Sequence, residues 1–374
     1  MAHAPQRCPP YDGSAFSRGR WRGVLVPKAF TQGSGNGGAA HTLDDLAALS
    51  GVSRATVSRV INGGPVAEGT RRRVLEVLER TGFRPNAVAR TLASGRSGVV
   101  GVVMHVDPHL LFQDQYFSQL LQGIADHLAG QGAGLMLWLG YRTKEEILDH
   151  VLGMSFLDGV IVSAHTLEDP VVDGLLASTL PTVLIGHRRA DLTASYVDID
   201  NEQAADVMTT HLISLGRTRI GHITGTRGTV HAEDRVTGFQ RAMRRAGLDP
   251  DGLIVDGNFN VQSGFAAAAQ LLDRNVDAIF CANDASAAGA LEAIRTRGLR
   301  VPDDVALAGF DDLELAARLD PPLTTVRQGV RQQGIEAARV LLQLLQDPGR
   351  SPRRVLLPTE LVVRQSSVGG VPRG

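Results

Sequence analysis

Leu43-Asp-Asp-Leu-Ala-Ala-Leu-Ser-Gly-Val-Ser-Arg-Ala-Thr-Val-Ser-Arg-Val-Ile-Asn62 is the stretch from which the rest of the chain is best understood. Its spacing is that of two short helices meeting at a tight turn. Ala47 is small where the helices must touch, and Gly51 stands where the turn needs a positive φ, which glycine adopts without steric penalty. Ser53 is a good N-cap for the second helix. Val57 falls on the inner face of that helix, so Arg54, Ala55, Ser58 and Arg59 point outward. A helix with two outward arginines suits a DNA major groove, since arginine can donate two hydrogen bonds to guanine O6 and N7. Arg54, Ala55 and Arg59 are therefore the expected base readers. Thr56, Ser58 and Asn62 are expected on phosphates or capping local backbone.

The flanking sequence supports a small three-helix unit. Val74, Val77 and Leu78 share one face of a third helix, Gly82 is a C-cap, and Pro85 blocks continuation. Asn86 then N-caps a short segment in which Val88 and Leu92 lie four apart. That helix is too short to stand alone and needs a partner copy or DNA to order it. Charge agrees locally. Residues 42–98 hold nine arginines against five acidic residues, although the whole chain carries a formal net charge of −1. Residues 1–41, rich in Gly, Pro, Ser and Arg, are expected to be a disordered extension. Gly33-Ser-Gly-Asn-Gly-Gly38 matches GxGxxG, but no strand feeds it and no helix leaves it, so it is a linker.

The chain has 374 residues, 43% hydrophobic and 21% charged, which suits two or three soluble domains. Cys8 and Cys281 sit in unlike contexts and suggest no disulfide framework; a reducing cytoplasm is the expected compartment. No apolar run approaches about 18 residues, and the N-terminus lacks a signal-peptide core, so no membrane partner is expected. From Val99 the pattern becomes alternating strands and helices. Strands are expected at 99–106, 135–139, 159–163, 182–185, 219–223, 278–282 and 305–310, with helices at 117–129, 204–215 and 286–297 among those between them. Continuously apolar strands alternating with helices mean parallel sheets buried on both faces. The fold class is α/β: an all-α headpiece and a core of two doubly wound subdomains, with ligand bound at the carboxyl ends of strands in the cleft between them. The histidines are scattered without HExxH or CxxC spacing, and there is no GxSxG elbow. No metal, cofactor or enzymatic activity is expected.

Taken together, the chain resembles the LacI/GalR family of bacterial transcription regulators over residues 42–366. The resemblance is carried by Thr42–Asn62, Phe83-Arg-Pro-Asn86, Asp198-Ile-Asp-Asn201, His211–Gly216, Gly221-His-Ile-Thr-Gly225, Arg235-Val-Thr-Gly-Phe239, Ala282-Asn-Asp284, Gly309-Phe-Asp-Asp312 and Pro321–Thr325, in that order. It implies a helix-turn-helix domain at 42–84, a hinge helix and linker at 85–98, and a periplasmic-binding-protein-like core at 99–366. The core would divide into an N-subdomain (99–197 and 328–357) and a C-subdomain (198–327 and 358–366), followed by a flexible tail at 367–374. It further implies a homodimer on a pseudo-palindromic operator in double-stranded DNA, with Leu92 as the leucine wedged into the minor groove and Asn86 in the same DNA-contacting hinge.

For the cleft, Tyr116, Phe117, Arg235, Phe259, Asn283 and Asp311 match ligand-contacting positions in the family. The residue types fit a polyhydroxylated ligand. An Arg and an Asp facing each other suit a diol, because hydroxyls both donate and accept, and aromatic rings can stack on a sugar face. Asp284 is expected to cap the helix that follows it. Thr229 and His231 stand where purine-responsive relatives select ligand, one of them with an arginine, so a sugar is favoured over a nucleobase. Asp107–Gln115 is longer than usual, and His187 replaces a common arginine. No leucine heptads follow Arg364, so a dimer is expected rather than a coiled-coil tetramer. Two other readings are weaker. A sugar-binding transport protein is opposed by the helix-turn-helix and the missing signal peptide. A Rossmann-type enzyme would need glycines after the first core strand, where Val102-Val-Met-His-Val-Asp-Pro108 has none. The expectation is a ligand-controlled repressor with a sugar as effector.

Overall fold

The computed structural model describes residues 41–61, 64–83, 96–104, 106, 108–139, 143–187, 194–347 and 349–368. Asn62, Asn86 and Leu92 lie outside the described residues, as do residues 1–40 and most of the expected hinge helix. The chain forms two compact units, residues 1–85 and 86–374.

The first unit is a three-helix headpiece: α1 (Leu43–Ser50), α2 (Arg54–Ile61) and α3 (Glu68–Thr81). A reciprocal cap starts α1. Asp45 N donates to Thr42 Oγ1 at 3.3 Å, and Thr42 N donates to Asp45 Oδ2 at 2.7 Å. Gly51 ends α1 with φ of 65°, and Ser53 Oγ then accepts from Thr56 N at 3.2 Å to start α2. Leu46, Val57, Val60, Val74 and Val77 are buried together, with Ala47 and Leu78 packed against them. One apolar residue or more from each helix makes the core, so the helices hold their mutual angle only as a set.

The second unit begins with β1 (Val99–Met104), α4 (Pro108–Gln113), α5 (Gln115–Gly130), β2 (Gly134–Leu139), α6 (Lys144–Gly153), β3 (Gly159–Ser163), α7 (Pro170–Ala177), β4 (Thr182–Ile185) and β5 (Ser195–Ile199). It continues with α8 (Asn201–Ser214), β6 (Ile220–Ile223), α9 (Val230–Arg245), β7 (Ile254–Val255), α10 (Val261–Leu272), β8 (Ala278–Cys281), α11 (Asp284–Thr296), β9 (Ala306–Ala308) and α12 (Glu314–Arg318). β10 (Thr325–Arg327), α13 (Val330–Gln346), β11 (Arg354–Leu357) and β12 (Glu360–Val362) complete it. One sheet has the order β11-β5-β4-β3-β1-β2 and the other β7-β6-β8-β9, and all pairings in both are parallel. β10 and β12 form a short antiparallel pair.

Sequence explains the layering. β3 and β4 are buried throughout, as parallel strands covered by helices on both faces must be, whereas the edge strand β2 alternates. The chain leaves the six-stranded sheet after β5 and builds the four-stranded one. It returns through Val326–Gln328 to α13, which packs on β3, β4 and β5, and passes over again between β11 and β12. Ser366 and Ser367 are buried, and Ser367 Oγ pairs with Thr324 Oγ1 at 2.7 Å, so packed chain runs past the expected start of the tail. Among the described residues no helix is long and apolar enough to cross a membrane.

Candidate DNA interface and ligand cleft

On the headpiece, α2 presents Arg54, Ala55 and Arg59 to solvent, while Thr56 and Ser58 are half-buried at the flanks of that face. Thr56 is tied to the cap, its Oγ1 lying 2.9 Å from Ser53 Oγ. Arg54 lies 3.5 Å from Asp44 on α1, with both side chains exposed, so the contact is a loose surface pair that a stronger anion can displace. The face therefore sets exposed cationic side chains on a helix anchored by Val57 and Val60 beneath it.

In the core, the strands' carboxyl ends face one cavity of about 240 Å³, lined from both sheets. All six expected cleft residues, Tyr116, Phe117, Arg235, Phe259, Asn283 and Asp311, line it. Arg235 lies in the second turn of α9 and is only 4% exposed. Its Nε donates to Asn201 Oδ1 at 3.0 Å, its Nη1 donates to Ala282 O, and its guanidinium carbon lies 3.6 Å from the Phe310 ring centroid. Nη1 is 3.9 Å from Asp311 Oδ1. Burial presses both the arginine and the aspartate toward their neutral forms, and each one's charge opposes that shift in the other. Nη2 has no partner among the described residues, which leaves one edge of the fork for ligand oxygens.

Two relays fix this pair, and neither was assigned a role from sequence. In the first, Asp198 Oδ1 accepts from Asn201 Nδ2 at 3.1 Å, and its Oδ2 accepts from His187 N at 2.9 Å and faces His187 Nδ1 at 2.7 Å. Asn201 thus passes the orientation of Asp198 to Arg235. In the second, Gln333 Nε2 donates to Gln328 Oε1 at 2.8 Å, and Gln328 Nε2 donates to Asp311 Oδ1. Asp198 and Asn201 belong to the quoted Asp198-Ile-Asp-Asn201, so the family motif marked them, although β5, which carries Asp198, was not expected. Gln328 and Gln333 carried none, because their roles depend on where β10 returns the chain.

The aromatic wall is well defined. Tyr116 and Phe117 meet edge to face with centroids 5.2 Å apart, and burial pushes the Tyr116 phenol up, so it remains a neutral donor. Phe259, at φ of 53°, lays its ring over Gly225; a Cβ there would sit 1.8 Å from Phe259 Cζ. His231 packs against Phe259 with centroids 5.4 Å apart, and loss of solvent pushes its pKa down to about 3, so the ring is neutral.

One expectation is corrected. Asp284 does not cap α11. Asn283 is the N-cap, its side chain accepting from Ser286 N at 2.9 Å, and Asp284 is the first helical residue. Asp284 is instead fully buried, accepting from Thr325 Oγ1 at 2.6 Å and Leu313 N at 2.8 Å, where it ties α11 to the loops after β9 and into β10. Asn283 meanwhile spends its amide on Phe259 O at 2.9 Å, so it positions the aromatic wall as well as lining the cavity.

Comparison with known proteins agrees with this anatomy. Residues 42–86 match the model of bacterial regulatory proteins of the lacI family, and residues 209–367 match the periplasmic binding protein-like domain. The HTH-type transcriptional regulator CelR of Thermobifida fusca is 36% identical over 332 residues, covering 87% of this chain and 98% of that protein. Among solved structures, a transcriptional regulator CelR–cellobiose complex is 35% identical with a TM-score of 0.69, covering 87% of this chain and 99% of that one. The lac repressor dimer bound to operator and the anti-inducer ONPF is 28% identical with a TM-score of 0.77, covering 88% and 99%.

Proposed function

The chain belongs to the LacI family of bacterial regulatory proteins and is a transcriptional regulator, and from that premise we propose that it is a repressor whose affinity for operator DNA is set by a sugar in the core cleft. It acts as a homodimer. Two copies of α2 enter successive major grooves, with Arg54, Ala55 and Arg59 on base edges and Thr56, Ser58 and Asn62 on the backbone. Asn86 and Leu92 contact DNA between the half-sites. The lac repressor structure, a dimer on operator, supports this arrangement.

The observation that carries the effector reading is the convergence of Arg235, Asp311, Asn283 and an aromatic wall on one cavity. Arg235 donates where a hydroxyl accepts, Asp311 accepts where a hydroxyl donates, and Phe259, Phe117 and Tyr116 cover the apolar face of a pyranose. The CelR–cellobiose complex favours the same ligand class. Because Arg235 and Asn201 belong to the four-stranded half while Tyr116, Phe117 and Gln328 border the six-stranded half, a ligand touching all of them favours one relation of the halves. That relation sets the spacing of the paired hinge segments and so the operator affinity.

The test is thermal shift of the purified chain against sugars, polyols and nucleobases. Arg235→Ala is a poor probe, because it leaves Asp311 buried without its cation, a change that costs about 3–5 kcal/mol on its own. Phe259→Ala removes the stacking face and no charge. It should abolish the shift caused by a sugar while leaving the unliganded melting temperature within a few degrees. A sugar shift that survives Phe259→Ala, or a nucleobase that shifts the chain where no sugar does, contradicts the assignment.

A further inference from the structure

His187 stands where the two halves of the core meet. It lies in the loop after β4, in the six-stranded half, and a quarter of its side chain reaches solvent. Its Nδ1 is 2.7 Å from Asp198 Oδ2 on β5. Its Nε2 is 3.6 Å from Asp234 Oδ2 on α9, in the four-stranded half. Both carboxylates are buried. One imidazole thus stands between a carboxylate of each half.

The two ring nitrogens are not equivalent. Asp198 is held by backbone and amide donors: Ile199 N at 2.8 Å and Asn201 Nδ2 at 3.1 Å on Oδ1, and His187 N at 2.9 Å on Oδ2. An ionised carboxylate only accepts, so the contact at Nδ1 needs a hydrogen on that nitrogen. Nε2 is then the nitrogen that gains or loses a proton. Without the proton, Nε2 turns a lone pair toward Asp234, and two acceptors repel. With it, the ring is a cation that points an N–H at Asp234, and the contact becomes an ion pair across the halves. The 3.6 Å separation is longer than a hydrogen bond, which leaves room for the pair to tighten. Other titratable groups lie close by. The Tyr196 ring on β5 is 6.0 Å away, centroid to centroid. His231 on α9, itself neutral, feels His187, Asp198, Arg235 and His165, so these groups form one electrostatic cluster. Arg188 and Arg189, next in the chain, lie outside the described residues.

We infer that His187 is a positioning residue for the ligand: the proton on its Nε2 latches the two halves of the core together and holds Arg235 in place. Two connections run from it to Arg235. Asp198 reaches the guanidinium through Asn201, and Asp234 is the residue before Arg235 on α9. The cavity is lined from both sheets, so a ligand that touches both binds best with the latch shut. The sign follows from linkage. A ligand that favours the shut latch also favours the proton on His187, so its affinity is high at acid pH and falls as that ring loses its proton. This rests on the cleft as the effector site and adds the proton as a second signal at that site.

The first readout needs no ligand. Melting temperatures of the full chain, His187→Gln and His187→Arg are followed from about pH 5.5 to about pH 8.5, the range in which histidines change charge. Glutamine carries no charge there and arginine carries one throughout. The unaltered chain should melt above His187→Gln at the acid end, and that gap should close as pH rises, while a gap in favour of His187→Arg opens. Titrations elsewhere, Asp284 included, are common to the three chains and cancel in the differences. Gaps that do not change with pH overturn the latch. The second readout is calorimetric titration with cellobiose, maltose and glucose at about pH 6 and about pH 8.5. Affinity of the unaltered chain should fall about tenfold between the two, and His187→Arg should bind equally well at both. A fall that His187→Arg keeps in full overturns the positioning role and leaves the sugar reading standing. Binding of none of the three sugars contradicts the sugar reading, and the ligand half of this inference with it, while the melting curves decide the latch separately.

Discussion

Asp284 and Arg235 are both buried charges, yet at the residue scale they do opposite things. Arg235 lines the cavity with Nη2 unpartnered among the described residues, whereas Asp284 is consumed by Thr325 and Leu313. Burial pushes the Asp284 carboxyl up to about 7 despite those two donors. A carboxyl whose folded pKa lies above its unfolded value of 3.8 contributes its stability in full only below that value, and loses it as pH rises through about 7. Asp284→Asn cannot ionise. Melting temperatures followed from pH 5 to pH 8.5 should therefore diverge in favour of Asp284→Asn as pH rises, and parallel curves would contradict the raised pKa. Phe259 was reached only through its match to a ligand-contacting position in the family; sequence made the other five of the six cleft residues legible because each follows a core strand, opens a helix or stands in a family motif. It misassigned Asp284 because an Asn and an Asp are adjacent before α11 and either can cap. Only the packing of the β9 and β10 loops decides which one does. Lys144, Thr226 and Asn258 also line the cavity without a sequence signal, because they sit at loop ends or a helix start and only the fold brings those segments together.

At the scale of elements, α5 and α13 cross so closely that neither crossing point can carry a side chain. A Cβ at Gly123 would lie 2.1 Å from Arg331 O, and one at Gly334 would lie 2.3 Å from Leu120 O, both backbone atoms that cannot rotate away. Gly123→Ala must push the helices apart and should destabilise the core by about 1–3 kcal/mol or more. Gly130→Ala, on the same helix with nothing within 4 Å of the added Cβ, should change stability little. Chemical denaturation of the two variants checks this, and equal midpoints would contradict the tight crossing. The long elements were readable. Continuous apolar runs marked β1, β3, β4, β6 and β8 to within two residues at either end. The headpiece was readable because caps, turn glycine and inner-face valines agree. β5, β7, β10, β11 and β12 were not expected. β7, β10 and β12 have two or three residues, too few for a period, β11 is an exposed edge, and Asp198 interrupts β5. These are strands that tertiary pairing makes, and the passages between the two sheets run through them.

At the scale of the whole molecule, the two units carry separate chemistry that the family joins into one function. The headpiece offers an exposed cationic face on α2 above a packed core, and the core offers a cavity lined from both sheets. If ligand alters operator affinity by some factor, operator must alter ligand affinity by the same factor. The DNA term must also weaken steeply with salt, since phosphates supply much of the binding. The most direct test of the central claim is selection of binding sites from random duplex DNA by the full chain at near-physiological salt, with and without cellobiose. The proposal predicts enrichment of a palindrome with half-sites about one helical turn apart, and a change in its recovery when the effector is present. Enrichment of no sequence in either condition, or of one without twofold symmetry, would contradict it.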